Sequence, residues 1–142
     1  MTNNKYELII IGGGPIGIAC GLEAQKKGID FVVIEKGCLV NSLYNYPANM
    51  TFFSTSEKLE IGAIPFVSNN VKPTRPEALE YYRRVAVSKH VPIKLQEKVL
   101  QFCPEGDGYK IITSGGTYHC RYVIIATGFY DIPVLMNIPG ES

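Results

Sequence analysis

A glycine-rich turn near the amino terminus carries the clearest chemical signal in this sequence. Gly12, Gly14 and Gly17 occupy the fixed positions of a G-x-G-x-x-G motif. In such a motif the first glycine permits a tight turn out of a strand, the second lets the backbone approach a pyrophosphate, and the third lets a helix pack closely on the strand. Unpaired N–H groups and the helix dipole favour the negative charge of the pyrophosphate. The turn, with Pro15 and Ile16 inside it, is therefore predicted to bind a dinucleotide.

An acidic residue follows at the separation that dinucleotide binding requires. Glu35 lies eighteen residues beyond Gly17, close to the separation of about twenty that is typical of a carboxylate binding a ribose diol. A carboxylate at this position repels the 2′-phosphate of NADP, so the site is predicted to accept FAD or NAD. The motif alone does not separate these two. The alternative, a purely structural glycine turn, is disfavoured by the strand before the motif and the helix after it.

The residues around the turn have the pattern of one βαβ unit. Residues 6–11 are apolar and rich in β-branched side chains, which predicts a buried parallel strand. Residues 14–27 are predicted to form a helix that ends at Gly28, and residues 31–35 to form the second strand. The helix residues predicted to face the core are Ile16, Ala19, Cys20 and Leu22.

Residues 36–72 are predicted to be irregular but ordered. They are rich in Asn, Ser and Pro, yet their aromatic side chains must be buried somewhere, which favours a shaped segment that covers another part of the protein. The aromatic residues that carry this prediction are Tyr44, Tyr46, Phe52, Phe53 and Phe66.

A second helix and a group of strands follow. Thr74 and Glu77 have the spacing of a capping box, with Pro76 in the first turn, and Leu79, Tyr82, Val85 and Ala86 recur at helical spacing. The basic residues Arg83, Arg84 and Lys89 are predicted to form a solvated face. Short strands are predicted at 93–96, 99–102, 109–113, 117–121 and 122–125, of which 109–113 and 117–121 form a hairpin and the last rejoins the parallel sheet.

Composition narrows the class of protein. A chain of 142 residues suffices for one domain with a core. The 14 Lys and Arg residues balance 13 Asp and Glu residues, so no excess charge favours nucleic acid or an anionic membrane. No apolar run is long enough to cross a bilayer, and no signal peptide is evident.

The four cysteines form no C-x-x-C pair, which indicates reduced thiols in a cytoplasmic protein. His90 and His119 have no ligand at metal-binding spacing, so no metal site is predicted.

Several of these segments together resemble a known group of enzymes. The glycine turn, Glu35–Lys36, the antiparallel strands and residues 123–128 resemble the two-dinucleotide-binding flavoproteins of the thioredoxin reductase and monooxygenase type. In that superfamily an Ala-Thr-Gly segment such as 126–128 is a second FAD-associated signature. Asn45-Tyr46-Pro47 resembles a segment near the flavin ring. The resemblance implies an α/β, Rossmann-like FAD-binding domain, with a parallel sheet and a small antiparallel β-meander.

A closer resemblance is to the bacilliredoxin reductases, also called bacillithiol-disulfide reductases. It is carried by residues 37–62, 72–73, 81–83 and 126–133. It implies an NADPH-dependent flavoenzyme that reduces a low-molecular-weight or protein-bound disulfide, with a bacilliredoxin or thioredoxin-like protein as partner. Many members carry a cysteine at the position of Ile16. The residues predicted to contact the cofactor are Gly12, Gly14, Pro15, Ile16, Gly17, Glu35, Lys36, Asn45, Tyr46, Val99, Ala126, Thr127 and Gly128.

The length of the chain qualifies the functional prediction. Relatives run to roughly two domains, with a second glycine-rich motif for NADPH and a return segment that completes the FAD site, and residues 1–142 contain neither. The chain is therefore predicted to be the amino-terminal part of an FAD-binding domain, without turnover on its own. Two alternatives stay open: a flavoprotein that passes electrons to ferredoxin or oxygen, and a non-catalytic dinucleotide-binding module. No catalytic residue is assigned, Cys38 and the loop aromatics are only candidates to approach the flavin, and the oligomeric state is open.

Overall fold

A six-stranded sheet with the strand order β3-β2-β1-β6-β5-β4 organises the protein. The computed structural model describes residues 4–130 and 134–141. Strands β3, β2, β1 and β6 run parallel, whereas β6, β5 and β4 form an antiparallel meander. The predicted α/β fold with its meander is confirmed. The strands are β1 (Lys5–Ile11), β2 (Phe31–Ile34), β3 (Ile93–Lys94), β4 (Val99–Glu105), β5 (Gly108–Thr113) and β6 (Thr117–Ile125).

The first βαβ unit forms as predicted, and of the four helix residues predicted to face the core only Ile16 is exposed. Helix α1 spans Pro15–Lys26, and Gly28 follows it with a φ of +67°. Leu22 is buried as predicted, Ala19 and Cys20 are partly buried, and Ile16 is 66% exposed. The buried face also carries Gly17, Ile18 and Gly21. A Cβ added at Gly21 would lie 3.0 Å from Cε2 of Phe31, so the glycine permits close packing of α1.

Helix α3 (Arg75–Ser88) begins at the predicted cap. Both N and Oγ1 of Thr74 donate to Oε2 of Glu77, each at 2.7 Å. The predicted basic face is exposed. Tyr81, absent from the predicted helical stripe, is fully buried. The helix buries Ala78, Tyr81, Tyr82, Val85 and Ala86.

The predicted irregular segment contains short elements and is fastened to α3. It includes helix α2 (Asn41–Tyr44) and a 3₁₀ turn at Ser56–Leu59, each of four residues, and is otherwise irregular as predicted. The Tyr81 hydroxyl donates to the carbonyl of Ile64 (2.7 Å) and the Tyr82 hydroxyl to that of Leu59 (2.8 Å). These hydrogen bonds form only when the segment packs on α3, so they could not be predicted from the local propensities of the segment.

Strand β6 is one continuous strand, whereas the sequence predicted a break at residue 121. It pairs parallel with β1 from His119 to Ile125 and antiparallel with β5 from Thr117 to Cys120. Apolar clusters cover both faces of the sheet, one beneath the helices and one beneath the meander. No helix among the described residues is long and apolar enough to cross a membrane.

Candidate dinucleotide-binding site

A cleft of about 700 Å³ opens at the carboxyl ends of β1, β2 and β6. Ligands of open parallel sheets bind at this edge, and the volume lies within the range of roughly 300–1,000 Å³ found for small-molecule sites. The glycine turn and Glu35 form one side of the cleft, and the segment after β6 forms another. The sheet topology therefore brings both predicted signatures, the turn and the Ala126–Gly128 segment, to one place.

Three glycines of the turn are explained by the folded chain itself. Gly12 has a φ of +114°, and a Cβ there would collide with the carbonyl oxygen of Ala126. A Cβ at Gly17 would collide with the carbonyl oxygen of Gly12, and one at Gly13 would lie 2.9 Å from Cβ of Glu35. The glycines therefore let the turn pack closely on three neighbours: Gly12 on the segment after β6, Gly17 on the turn from within α1, and Gly13 on the side chain of Glu35.

Gly14 is not explained in this way. Its φ of −78° and ψ of −177° suit any residue, and a Cβ added there meets no atom within 4 Å. Gly14 lines the cleft and precedes the first turn of α1, whose N–H groups have no partners within the helix. The open space at Gly14 is where a phosphate could approach those donors, so the turn fits a pyrophosphate.

Glu35 is buried, with 7% of its surface exposed, and it is held rigidly. The N–H of Gly13 donates to Oε2 at 2.6 Å, and the N–H of Gly37 donates to Oε1 at 2.8 Å. Each carboxylate oxygen can accept more than one hydrogen bond. Glu35 can therefore accept hydroxyl donors from the cleft while its two backbone bonds keep it in position.

The wall beside Glu35 comes from the connection between β3 and β4. Glu97, Lys98 and Val99 line the cleft there. The N–H of Glu97 donates to the carbonyl of Glu35 at 2.9 Å, which joins this wall to the acidic residue.

The opposite part of the cleft is apolar and aromatic. Tyr46 contacts Tyr130 edge-on, with ring centroids 4.4 Å apart, and lies 6.4 Å from Phe52. Both Tyr46 and Phe52 line the cleft and pack against the core. Tyr44 and Phe53 are 53% and 90% exposed and do neither. Two of the four loop aromatics thus combine the two roles that the sequence left as alternatives, lining a site and covering the core.

Comparison with known proteins places this geometry in a family. A profile of the pyridine nucleotide-disulphide oxidoreductases matches residues 9–142. The chain belongs to this family. It is similar to bacilliredoxin reductase Bdr of Bacillus subtilis (strain 168), with 49% identity over 139 residues that cover 97% of this chain and 43% of the relative.

Solved structures agree with the sequence relationship. The structure of bacillithiol disulfide reductase Bdr (YpdA) from Staphylococcus aureus matches with a TM-score of 0.91 and 43% identity, over 96% of this chain and 42% of that one. The structure of bacillithiol disulfide reductase Bdr (YpdA) from Bacillus cereus matches with a TM-score of 0.90 and 47% identity, over 96% of this chain and 44% of that one. The resemblance to bacilliredoxin reductases is confirmed, and the chain spans about two fifths of the length of these relatives.

Most of the residues predicted to contact the cofactor lie together in the cleft. The exceptions are Gly17, which packs beneath the turn, and Asn45, whose side-chain amide donates to the carbonyl of Asn41 at 2.9 Å. Part of the last resemblance motif, residues 131–133, lies outside the described residues. The predicted residues that line the cleft are Gly12, Gly14, Pro15, Ile16, Glu35, Lys36, Tyr46, Val99, Ala126, Thr127 and Gly128.

Several further lining residues were not predicted from the sequence. They belong to separated segments that only the fold brings together. Most of them, though not Glu97, lie in segments that carry the resemblance, which indicated the segments without the individual side chains. The unpredicted lining residues include Lys58, Glu60, Tyr82, Glu97, Phe129 and Tyr130.

None of the cysteines or histidines lines the cleft. All four cysteines are unbridged, and Sγ of Cys38 lies 3.5 Å from Oδ1 of Asn41. Burial raises the pKa of the Cys120 thiol, which keeps it protonated. Nδ1 of His119 lies 2.7 Å from Oε2 of Glu105, away from the cleft. Among the described residues no group of three or more His, Cys, Asp and Glu side chains could hold a metal ion.

Proposed function

We propose that the cleft binds FAD through its ADP half and that the whole protein is an NADPH-dependent flavoprotein that reduces a disulfide. The observation that carries the proposal is the glycine at position 14. A side chain there would meet no other atom of the protein within 4 Å, so the folded chain alone gives no reason for a glycine. A ligand that must come close to the backbone at the amino terminus of α1 supplies the missing reason. The family membership supports the same conclusion.

Each part of the cleft suits one part of the cofactor. The N–H groups of the first turn of α1 would bind the pyrophosphate, and the fixed carboxylate of Glu35 would accept the ribose hydroxyls. The wall from Glu97 to Val99 would lie against the adenine. The apolar part, with Tyr46 and Phe52, would exclude water from the flavin ring. When bound, FAD supplies the capacity to accept a hydride from a nicotinamide and to pass electrons to an acceptor.

The proposed substrate class rests on the named relatives. One is named for bacilliredoxin and two for bacillithiol disulfide, so we propose a bacillithiol-type disulfide or a bacilliredoxin or thioredoxin-like protein as the acceptor. The four unbridged cysteines support a cytoplasmic location. We expect the full-length protein to oxidise NADPH only when such a disulfide is added. Oxidation of NADPH at the same rate with only ferredoxin or oxygen as the acceptor would contradict the proposed disulfide substrate.

The choice of dinucleotide is tested at Glu35. Glu35→Gln removes the charge and forces an amide N–H against one of the two backbone donors at Oε1 and Oε2. We expect affinity for FAD and ADP to fall by about tenfold or more, since one ribose contact and one backbone bond are lost. Affinity for 2′-phosphorylated ADP should fall less or rise, because a repelling charge has been removed.

The measurement is isothermal titration of the 142-residue chain with each nucleotide. Glu105→Gln is the matched control. Like Glu35, Glu105 is a carboxylate at the end of a strand, and it contacts His119, but it lies outside the cleft. An unchanged ratio of affinities for ADP and 2′-phosphorylated ADP in Glu35→Gln would contradict the assigned role.

A further inference from the structure

The carboxylate of Glu97 lies at a junction of three segments. Its own backbone N–H donates to the carbonyl of Glu35. The preceding residue, Gln96, has a φ of +56°, a left-handed conformation that is unfavourable for a residue other than glycine. The chain thus turns sharply to place Glu97 beside both the cleft and the β5–β6 hairpin.

The side chain of Glu97 is bound by that hairpin. Oγ1 of Thr113 donates to Oε1 of Glu97 at 2.5 Å. Oγ1 of Thr113 in turn accepts the N–H groups of Gly115 (3.1 Å) and Gly116 (3.0 Å). Oγ1 of Thr113 also lies 3.0 Å from the carbonyl oxygen of Gly116, so this one hydroxyl joins Glu97 to the hairpin turn.

Two more observations show that the turn is shaped around this contact. A Cβ added at Gly115 would lie 2.8 Å from Cδ of Glu97, so the glycine permits the close approach. The neighbouring backbone is paired as well, because the N–H of Ser114 donates to the carbonyl of Lys98 at 2.9 Å and the N–H of Lys98 donates to Oγ of Ser114 at 3.0 Å. The hairpin is thereby docked on the segment that lines the cleft.

We propose that Glu97 is a positioning residue for the ADP half of the cofactor. This inference rests on the proposed function and adds Glu97 to the residues that serve it. Through Thr113 the carboxylate fixes the wall from Glu97 to Val99, and through its backbone N–H it fixes that wall relative to Glu35. The β5–β6 hairpin, which does not itself line the cleft, thus fixes the distance between Glu35 and the wall from Glu97 to Val99. Both of these would face the same nucleotide.

The test compares the affinities of FAD and ADP for variants of the 142-residue chain. Glu97→Ala removes the acceptor of the Thr113–Glu97 hydrogen bond and should weaken both ligands by about tenfold, the equivalent of one hydrogen bond to a charged group. Thr113→Val removes the donor of that bond and also the acceptor of the Gly115 and Gly116 N–H groups, so it should weaken both ligands at least as much. The double variant should lose little more than Thr113→Val alone, because the bond to Glu97 can be lost only once. Glu97→Gln should retain near wild-type affinity, since its amide oxygen still accepts from Thr113.

Controls separate positioning from general destabilisation. Thr74→Ala weakens the cap of α3, outside the cleft, and should lower thermal stability without changing either affinity. Wild-type affinity in Glu97→Ala, additive losses in the double variant, or a loss in Glu97→Gln equal to that in Glu97→Ala would overturn the inference. If Glu97→Ala does not fold, Thr113→Val decides alone. Failure of the wild-type chain to bind either FAD or ADP would instead contradict the proposed function.

Discussion

Replacing Gly14 by alanine separates the requirements of folding from those of the ligand. The backbone at Gly14 suits alanine, and the added methyl group meets no atom within 4 Å. Alanine is a poorer residue than glycine at the start of a helix, by about 1 kcal/mol, but it restricts the unfolded chain and recovers about 0.4–1 kcal/mol. We therefore expect the free energy of unfolding of Gly14→Ala to stay within about 1 kcal/mol of wild type.

Ligand binding should respond strongly to the same change. The methyl group would occupy the space through which the pyrophosphate reaches the N–H groups of α1. Loss of one charge-assisted hydrogen bond costs about 1.5–3 kcal/mol, which corresponds to a roughly ten- to hundredfold weaker affinity for FAD and for ADP. The two ligands should weaken equally, because they share the ADP half.

Urea unfolding gives the stability of each variant, and titration calorimetry gives the affinity. Gly12→Ala is the contrasting variant, because its methyl group would collide with the carbonyl of Ala126 at a φ of +114° and should destabilise the fold by more than about 2 kcal/mol. A Gly14→Ala variant that unfolds as readily as Gly12→Ala, or that binds FAD as tightly as wild type, would refute the reasoning.

Two further predictions concern the anchoring of the cleft wall by α3. Tyr82→Phe removes the 2.8 Å hydrogen bond to the carbonyl of Leu59 and should lower the free energy of unfolding by about 1 kcal/mol in urea titrations; an unchanged midpoint and slope would contradict this. Burial raises the pKa of Tyr82 from 10.0 to about 12. The free energy of unfolding is therefore independent of this group below pH 10 and falls by about 2–3 kcal/mol as the pH rises from 10 through 12, because the unfolded chain loses the proton first. Wild type should therefore lose stability faster than Tyr82→Phe in alkaline unfolding curves, and parallel curves would contradict the assigned burial.

The parts of the fold that were predicted depend on local rules. The β1–turn–α1–β2 unit follows from a continuous apolar run, a glycine motif and a C-terminal glycine, and α3 follows from the Thr74–Glu77 cap. Each signal lies within a few residues of the structure it produces. The glycine turn and Glu35 were predicted as a site for the same reason, because the βαβ unit itself sets their distance.

The parts that were not predicted depend on packing between distant segments. Helical spacing placed Ile16 on the buried face beside Leu22, but Ile16 is exposed, and Gly17 and Gly21 are buried because α1 packs closely on the sheet. The break predicted near residue 121 ignored that β1 continues to pair with β6 after the pairing with β5 ends at Cys120. Glu97 has no motif, since its role arises only when the hairpin at Thr113 folds back onto the cleft wall.

The most direct test of the proposed site is the amide ¹H–¹⁵N spectrum of the wild-type chain during titration with FAD. We expect the largest shifts at Gly13, Gly14 and Gly17, with further shifts at Gly37 and Val99. The signals of the groove at the opposite end of the sheet, where Lys5, Asp107 and Arg121 lie, should stay unchanged. Shifts confined to that groove, or no saturable shift at the glycine turn, would contradict the central claim that the cleft holds the ADP half of FAD.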